Sequence, residues 1–163
     1  MVEMELLGVK LELPSNTPVV MLREVEGRRR VLPIFIGLPE ANAIAFALDG
    51  VVPPRPLTHD LFCNVLDELG FRLERVVVTD LDDGTFYAEL HLVGEGEPHT
   101  ISSRPSDAIA LAVRVGAPVF ADEHVVDEAA TEVEEEDGSE DSEAVVEEFR
   151  TFIENVNPED FAS

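Results

Sequence analysis

The chain has 163 residues, 45% of them hydrophobic, and carries 11 Lys and Arg against 35 Asp and Glu, a formal net charge of −24. That length suits one domain with a buried core, and no apolar run approaches the ~20 residues that span a bilayer. A single cysteine, Cys63, excludes an internal disulfide and a cysteine-clustered zinc site, and the acidic start Met1-Val2-Glu3-Met4-Glu5 lacks an export pattern, so the expected location is the cytoplasm.

In chain order, Glu3 to Leu13 reads as a strand with Leu7, Val9, Leu11 and Leu13 on one face. Pro14 to Pro18 turns, Val19 to Val25 is a second strand, and Glu26-Gly27-Arg28 turns it back into a third, Val31 to Ile36. Pro33 inside that third strand predicts a sheet edge or a bulge, because proline lacks the N–H a ladder needs. After the break at Gly37-Leu38-Pro39-Glu40, Ala41 to Leu48 reads as a very apolar helix. Three prolines among Pro53 to Pro56 exclude regular structure there. Thr58 is the expected cap of the next helix, whose Leu61, Phe62, Val65, Leu66 and Leu69 form one apolar stripe, read as ordinary core. Arg72 to Thr79 and Thr85 to Val93 are strands joined by Asp82-Asp83-Gly84. His99 to Ser102 is a short strand. Pro105 opens a nearly all-apolar, hence buried, helix that stops at Gly116, followed by a short strand at Val119-Phe120 and a short helix over 122–130. Strands joined by short turns imply an α+β class, a mixed and largely antiparallel sheet with three main helices packed on it.

The charge is uneven. Residues 122–163 hold seventeen acids and one base, Arg150. The folded unit is expected over 1–130, an acidic linker over 131–142, and an amphipathic C-terminal helix and tail over 143–163 with Val145, Val146, Phe149, Phe152 and Ile153 at helical spacing. The strongest basic cluster, Arg28-Arg29-Arg30, sits at a hairpin tip, and no broad basic footprint for nucleic acid is present.

Four spots place polar residues where chemistry could reside. Glu40 begins the apolar helix, where an acid is also favourable against the helix dipole alone. Thr58-His59-Asp60 begins the second helix; His59 suits a general base or a ligand, although neighbouring helical residues point about 100° apart. Arg104-Pro105-Ser106-Asp107 begins the third, where free N–H groups can meet an anion, and where Arg104 can also simply pair with Asp107. Tyr87, Glu89 and His91 share one strand face, as any solvated face would. No Gly-rich phosphate loop, His-Glu-x-x-His pair or Gly-x-Ser-x-Gly elbow occurs. If the three helix starts converge, Glu40, Asp60, Asp107, His59 and Arg104 would line one cleft. Acids, a divalent ion and an arginine are the usual means of phosphodiester hydrolysis.

Leu32-Pro33-Ile34-Phe35-Ile36-Gly37 with Glu40-Ala41, then Arg55-Pro56-Leu57-Thr58-His59-Asp60-Leu61, then Phe86-Tyr87-Ala88, then Arg104-Pro105-Ser106-Asp107-Ala108-Ile109-Ala110 resemble, in order and spacing, the bifunctional nuclease domain family over residues 1–125. The resemblance implies a compact α+β domain, a homodimer and hydrolysis of both DNA and RNA. On these motif positions together with the acids at the helix starts, His59, Asp60, Arg104 and Asp107 are the expected catalytic residues, Ser106 and Arg55 the substrate-binding ones, and Glu40, Asp60 and Asp107 the holders of Mg²⁺ or Mn²⁺, the ions that carboxylate oxygens favour. Members often carry an acid two residues before the arginine of the Arg-Pro-Ser-Asp motif; here Ser102 stands there. The other reading is a non-catalytic dimeric interaction module with an acidic regulatory tail, whose terminal helix would dock on a protein partner.

Overall fold

The computed structural model describes residues 1–133. The expected helix over 143–163 and the linker from 134 onward lie outside the described residues. The fold is α+β. Its strands are β1 (Val2–Glu12), β2 (Thr17–Glu24), β3 (Val31–Phe35), β4 (Arg72–Asp82), β5 (Thr85–Val93), β6 (His99–Ser103) and β7 (Val119–Ala121). Its helices are α1 (Leu38–Leu48), α2 (Thr58–Glu68), α3 (Pro105–Val115) and α4 (Glu123–Ala129). One seven-stranded sheet runs β3-β2-β1-β7-β4-β5-β6. Every pairing is antiparallel except β4 with β7, so the sheet is mixed and largely antiparallel.

Pro33 does lie on an edge strand, β3, where its missing donor costs no ladder bond. β1 departs from the simple alternation expected for it. The register jumps from Leu6↔Leu22 to Gly8↔Met21, a bulge that turns Leu7 out to solvent. Gly8 has φ 141°, a conformation that side chains rarely adopt, so the bulge falls on a glycine.

The core lies between the sheet and α1 and α3. On β5, Ala88, Leu90 and Leu92 are buried and meet Val78, Val76 and Leu73 of β4 in register. Leu22, Leu32, Ile44 and Ile109 are fully enclosed. Removing each such side chain from water contributes about 1.5–3 kcal/mol. Alanines recur on both helices (Ala41, Ala43 and Ala45; Ala108, Ala110 and Ala112), which lets the two pack closely.

The second helix is the exception. No residue of α2 is buried, and Leu61, Phe62, Val65 and Leu69 are 41–66% exposed. Its stripe is therefore not the ordinary core that periodicity suggested. Only Cys63 and Leu66 reach the core, because α2 lies along the flank of α3 rather than over the sheet. Burial raises the pKa of the Cys63 thiol, which keeps it in the unreactive form.

The topology positions the site. The two edge strands each feed a helix: β3 leads into α1 and β6 into α3. The edges do not pair, yet the end of β3, the β4–β5 turn and the start of α3 approach one another around a cavity of about 380 Å³. The sheet thus curls without closing, and the starts of α1 and α3 meet at its seam.

At the other end, α4 is held by a buried ion pair. Arg30 Nη2 lies 2.7 Å from Glu24 Oε1, and Arg30 Nη1 lies 2.8 Å from Asp127. Thr131 pairs with Val31 and extends the folded unit to that residue.

Candidate functional site

Glu40, Asp60 and Asp107 each occupy the third position of their helix, where a carboxylate faces the free N–H groups of the first turn. Gly37 is the N-cap residue of α1, and a Cβ there would collide with the Glu40 carboxylate, so the glycine leaves room for that side chain to fold back over the helix start. Pro105 at the first position of α3 pre-sets its turn.

Arg104 ties two of these starts together. Its Nε and Nη2 lie 2.8 and 2.7 Å from Asp107 Oδ2, and its Nη2 lies 2.9 Å from Glu40 Oε1 across 64 residues of sequence. The Glu40 carboxylate, and after it that of Asp107, raise the pKa of the guanidinium. Nη1 makes no hydrogen bond to any described residue, and the side chain is 64% exposed. His59 Nε2 lies 2.8 Å from Asp107 Oδ1. In the neutral tautomer that donates from Nε2, the ring's Nδ1 is the acceptor, and it has no partner among the described residues.

These four side chains line one cavity of about 480 Å³ between the starts of α1, α2 and α3, with Pro39, Asn42, Ala43 and Phe46 on one wall and Pro56, Leu57, Thr58 and Leu61 on the other. Helix N-termini converging there add fixed partial positive charge.

Other expected positions fall elsewhere. Asp60 does not join Glu40 and Asp107. Its Oδ1 accepts from Arg114 Nε at 2.7 Å and its Oδ2 from the Leu57 N–H at 3.0 Å. Asp60 thus caps α2, the part expected of Thr58, and joins α2 to α3 through an arginine only 10% exposed. The next-door residue His59 points into the cavity because a helix turns between them. Ser106 is buried and lines the neighbouring cavity at the sheet seam. Arg55 is exposed on the loop before α2 and does not line either cavity. Ser102, on β6, pairs with Glu89 of β5 and lines neither cavity. Tyr87, Glu89 and His91 lie on the face of β5 opposite the buried Ala88 and Leu90, with His91 3.4 Å from Glu89.

The metal expectation meets the same geometry. The guanidinium stands between the two carboxylates an ion would need, and the third is bonded to Arg114. Among the described residues no three His, Cys, Asp or Glu side chains are grouped to hold a metal. Glu40, Asp60 and Asp107 do not fit one divalent ion.

The basic hairpin tip is also accounted for. Arg29 pairs with Glu5, Arg30 with Glu24 and Asp127, and Arg28 lies 3.8 Å from Glu132. No helix among the described residues is long and apolar enough to cross a membrane.

Asn42 was not singled out in the sequence. Its signal was present there: it is the lone polar residue between Glu40 and Asp49.

A family model described as the bifunctional nuclease domain matches residues 20–134. A protein of Mycobacterium tuberculosis H37Rv, described as "Uncharacterized protein Rv1829", is 44% identical over 163 residues, covering 98% of this chain and 97% of its own length. "Bifunctional nuclease 2" of Arabidopsis thaliana is 30% identical over 112 residues, 66% of this chain and 34% of that protein. "Bifunctional nuclease 2" of Oryza sativa subsp. japonica is 30% identical over 115 residues, 69% of this chain and 35% of that protein. The chain thus spans about a third of the plant relatives and nearly all of the mycobacterial one.

Proposed function

This chain belongs to the bifunctional nuclease domain family, and on that premise we propose that it hydrolyses phosphodiester bonds in DNA and RNA at the cavity between α1, α2 and α3. The observation that carries the reading is Arg104: two carboxylates hold its Nε and Nη2, which aims a largely exposed guanidinium and its unpartnered Nη1 at the cavity. A phosphodiester oxygen accepts from Nη1. Water attacks phosphorus, His59 Nδ1 takes the water proton, and Asp107 steadies the imidazolium through Nε2. The P–O ester bond breaks, and the imidazolium returns a proton to the leaving oxygen. Arg104 and the helix N-termini offset the charge that develops on the phosphoryl oxygens.

The test is cleavage of labelled single-stranded DNA and RNA by the full chain. Turnover should persist in EDTA and fall roughly 10²-fold or more in His59→Gln, the usual weight of a general base. Activity lost in EDTA and restored by Mg²⁺ or Mn²⁺ would show that an ion replaces the guanidinium between Glu40 and Asp107, and would overturn the route through Arg104.

We propose further that the chain forms a homodimer through α2. What supports this is the exposed stripe of Phe62, Val65 and Leu69, which among the described residues nothing covers. Two copies related by a twofold axis lay such a stripe against itself. In that antiparallel arrangement Arg55, before the start of one α2, comes toward Asp67 and Glu68 at the end of the other. Sedimentation velocity should give a dimer for the native chain and a monomer for Val65→Glu/Leu69→Glu with the native circular dichroism spectrum, melting lower because the association that stabilises the fold is gone. A monomeric native chain that exposes the stripe to a dye only after deletion of residues 134–163 would assign the surface to the chain's own tail instead.

A further inference from the structure

Asn42 lies in the middle of an otherwise apolar stretch of α1, between Ala41 and Ala43, and is 8% exposed. Its Oδ1 is buried with no hydrogen-bond partner, and its amide makes no side-chain hydrogen bond to any described residue. Enclosed polar groups are almost always satisfied, and one left open is costly. Asn42 also lines the cavity that holds Arg104 and His59. A buried amide that faces a cavity and lacks a partner from the protein points to a partner from a ligand.

The surroundings define the ligand. Pro39, Asn42, Ala43 and Phe46 recur at helical spacing on one face of α1, opposite Pro56, Leu57 and Leu61. The slot is therefore largely apolar on both sides, with Thr58 the one hydroxyl on the second wall, an amide on the first, and the charged cluster lining the same cavity. About 9 Å of helix axis separates Glu40 from Phe46. A flat heteroaromatic ring with donors and acceptors on its edge, attached to a phosphate, meets these demands together. An amide is the side chain best suited to such an edge, since it offers one donor group and one acceptor in one plane.

We infer that the cavity takes one unstacked nucleobase, with Asn42 bonded to the base edge while Arg104 meets the adjoining phosphate. The inference rests on the nuclease reading for its ligand class and adds to it a substrate form. A base inside a duplex is stacked and its pairing edge is occupied, so the substrate is single-stranded or frayed nucleic acid. Asn42 is then a specificity residue, separate from the proton transfer at His59.

Calorimetric binding of AMP and of ribose 5-phosphate to the full chain tests this, with Asn42→Leu as the variant, since leucine keeps the branched heavy-atom frame and removes the amide's polar atoms. AMP should bind the native protein at least ~10-fold more tightly than ribose 5-phosphate, and Asn42→Leu should cut the AMP affinity about 5-fold or more, leaving ribose 5-phosphate unchanged and only the advantage that apolar contact gives the base. The variant's melting temperature should stay level or rise, because an unsatisfied buried amide has gone. Equal affinities for the two ligands, no binding of either, or a variant that binds AMP as well as the native chain would each overturn the base slot. Failure here is separable from failure of the nuclease reading: base discrimination without turnover leaves the slot standing and removes the catalysis, and turnover without base discrimination does the reverse.

Discussion

Replacing Asp107 with Asn should lower cleavage of single-stranded DNA by roughly 10³-fold, the combined weight of a misplaced general base and a loosened electrostatic clamp. One carboxylate here serves two partners: Oδ1 holds His59 and Oδ2 holds Arg104. A carboxamide has one acceptor atom, so it can keep one of them and must present N–H to the other. Asp60→Asn is the control that separates chemistry from folding. Asp60 faces Arg114, an arginine 10% exposed, so its loss should cost stability on the order of 3 kcal/mol while changing the cleavage rate per folded molecule by no more than about threefold. Thermal melts of both variants beside single-turnover rates check the pair. Cleavage by Asp107→Asn at the native rate would mean that the activity belongs to a contaminating nuclease.

The largest effect on stability is expected at Glu24. It is 4% exposed, accepts from the Arg30 backbone N–H at 2.8 Å and from its guanidinium at 2.7 Å, and stands at the centre of the contact that fastens α4. Glu24→Ala leaves the Arg30 charge enclosed with only the exposed Asp127 to answer it. Breaking a buried pair from one side costs about 3–5 kcal/mol, which for a domain of this size lowers the melting temperature by on the order of 10–20 °C. The pH dependence has a definite sign. The hydrogen bond from Arg30 holds the Glu24 carboxyl below its usual value of 4.5. A depressed acid contributes stability that is fully present above its unfolded pKa and is lost as pH falls through the folded one. The native chain should therefore lose stability on acidification below about pH 4.5, and Glu24→Ala should lose less over the same interval. Urea midpoints at pH 7 and pH 3.5 measure both; identical slopes in the two proteins would remove Glu24 from the acid response.

Legibility differed between the sheet and the site for a physical reason. Strand alternation and turn chemistry are local, so β5, the Asp82-Asp83-Gly84 turn and the placing of Pro33 at an edge could all be read along the chain. The bulge at Gly8 could not, because a register shift is a property of two strands and leaves each one's pattern nearly intact. The stripe on α2 misled for a related reason: periodicity says that a helix has an apolar face and is silent about what covers it.

At the site, the amino-acid order determined that α1, α2 and α3 each begin with an acid, a proline or glycine and free N–H groups, and that the chain has the motifs of its family. Only the curled sheet decided which of those starts meet. It brought Glu40 to Arg104, and Asp107 to both Arg104 and His59, while a turn of α2 sent Asp60 to Arg114. It also enclosed Asn42 without a partner. Capping is governed by neighbours three residues apart, so the chain carries it in plain view; a pocket is governed by how two sheet edges approach, and that distance is a sum over the whole packed core.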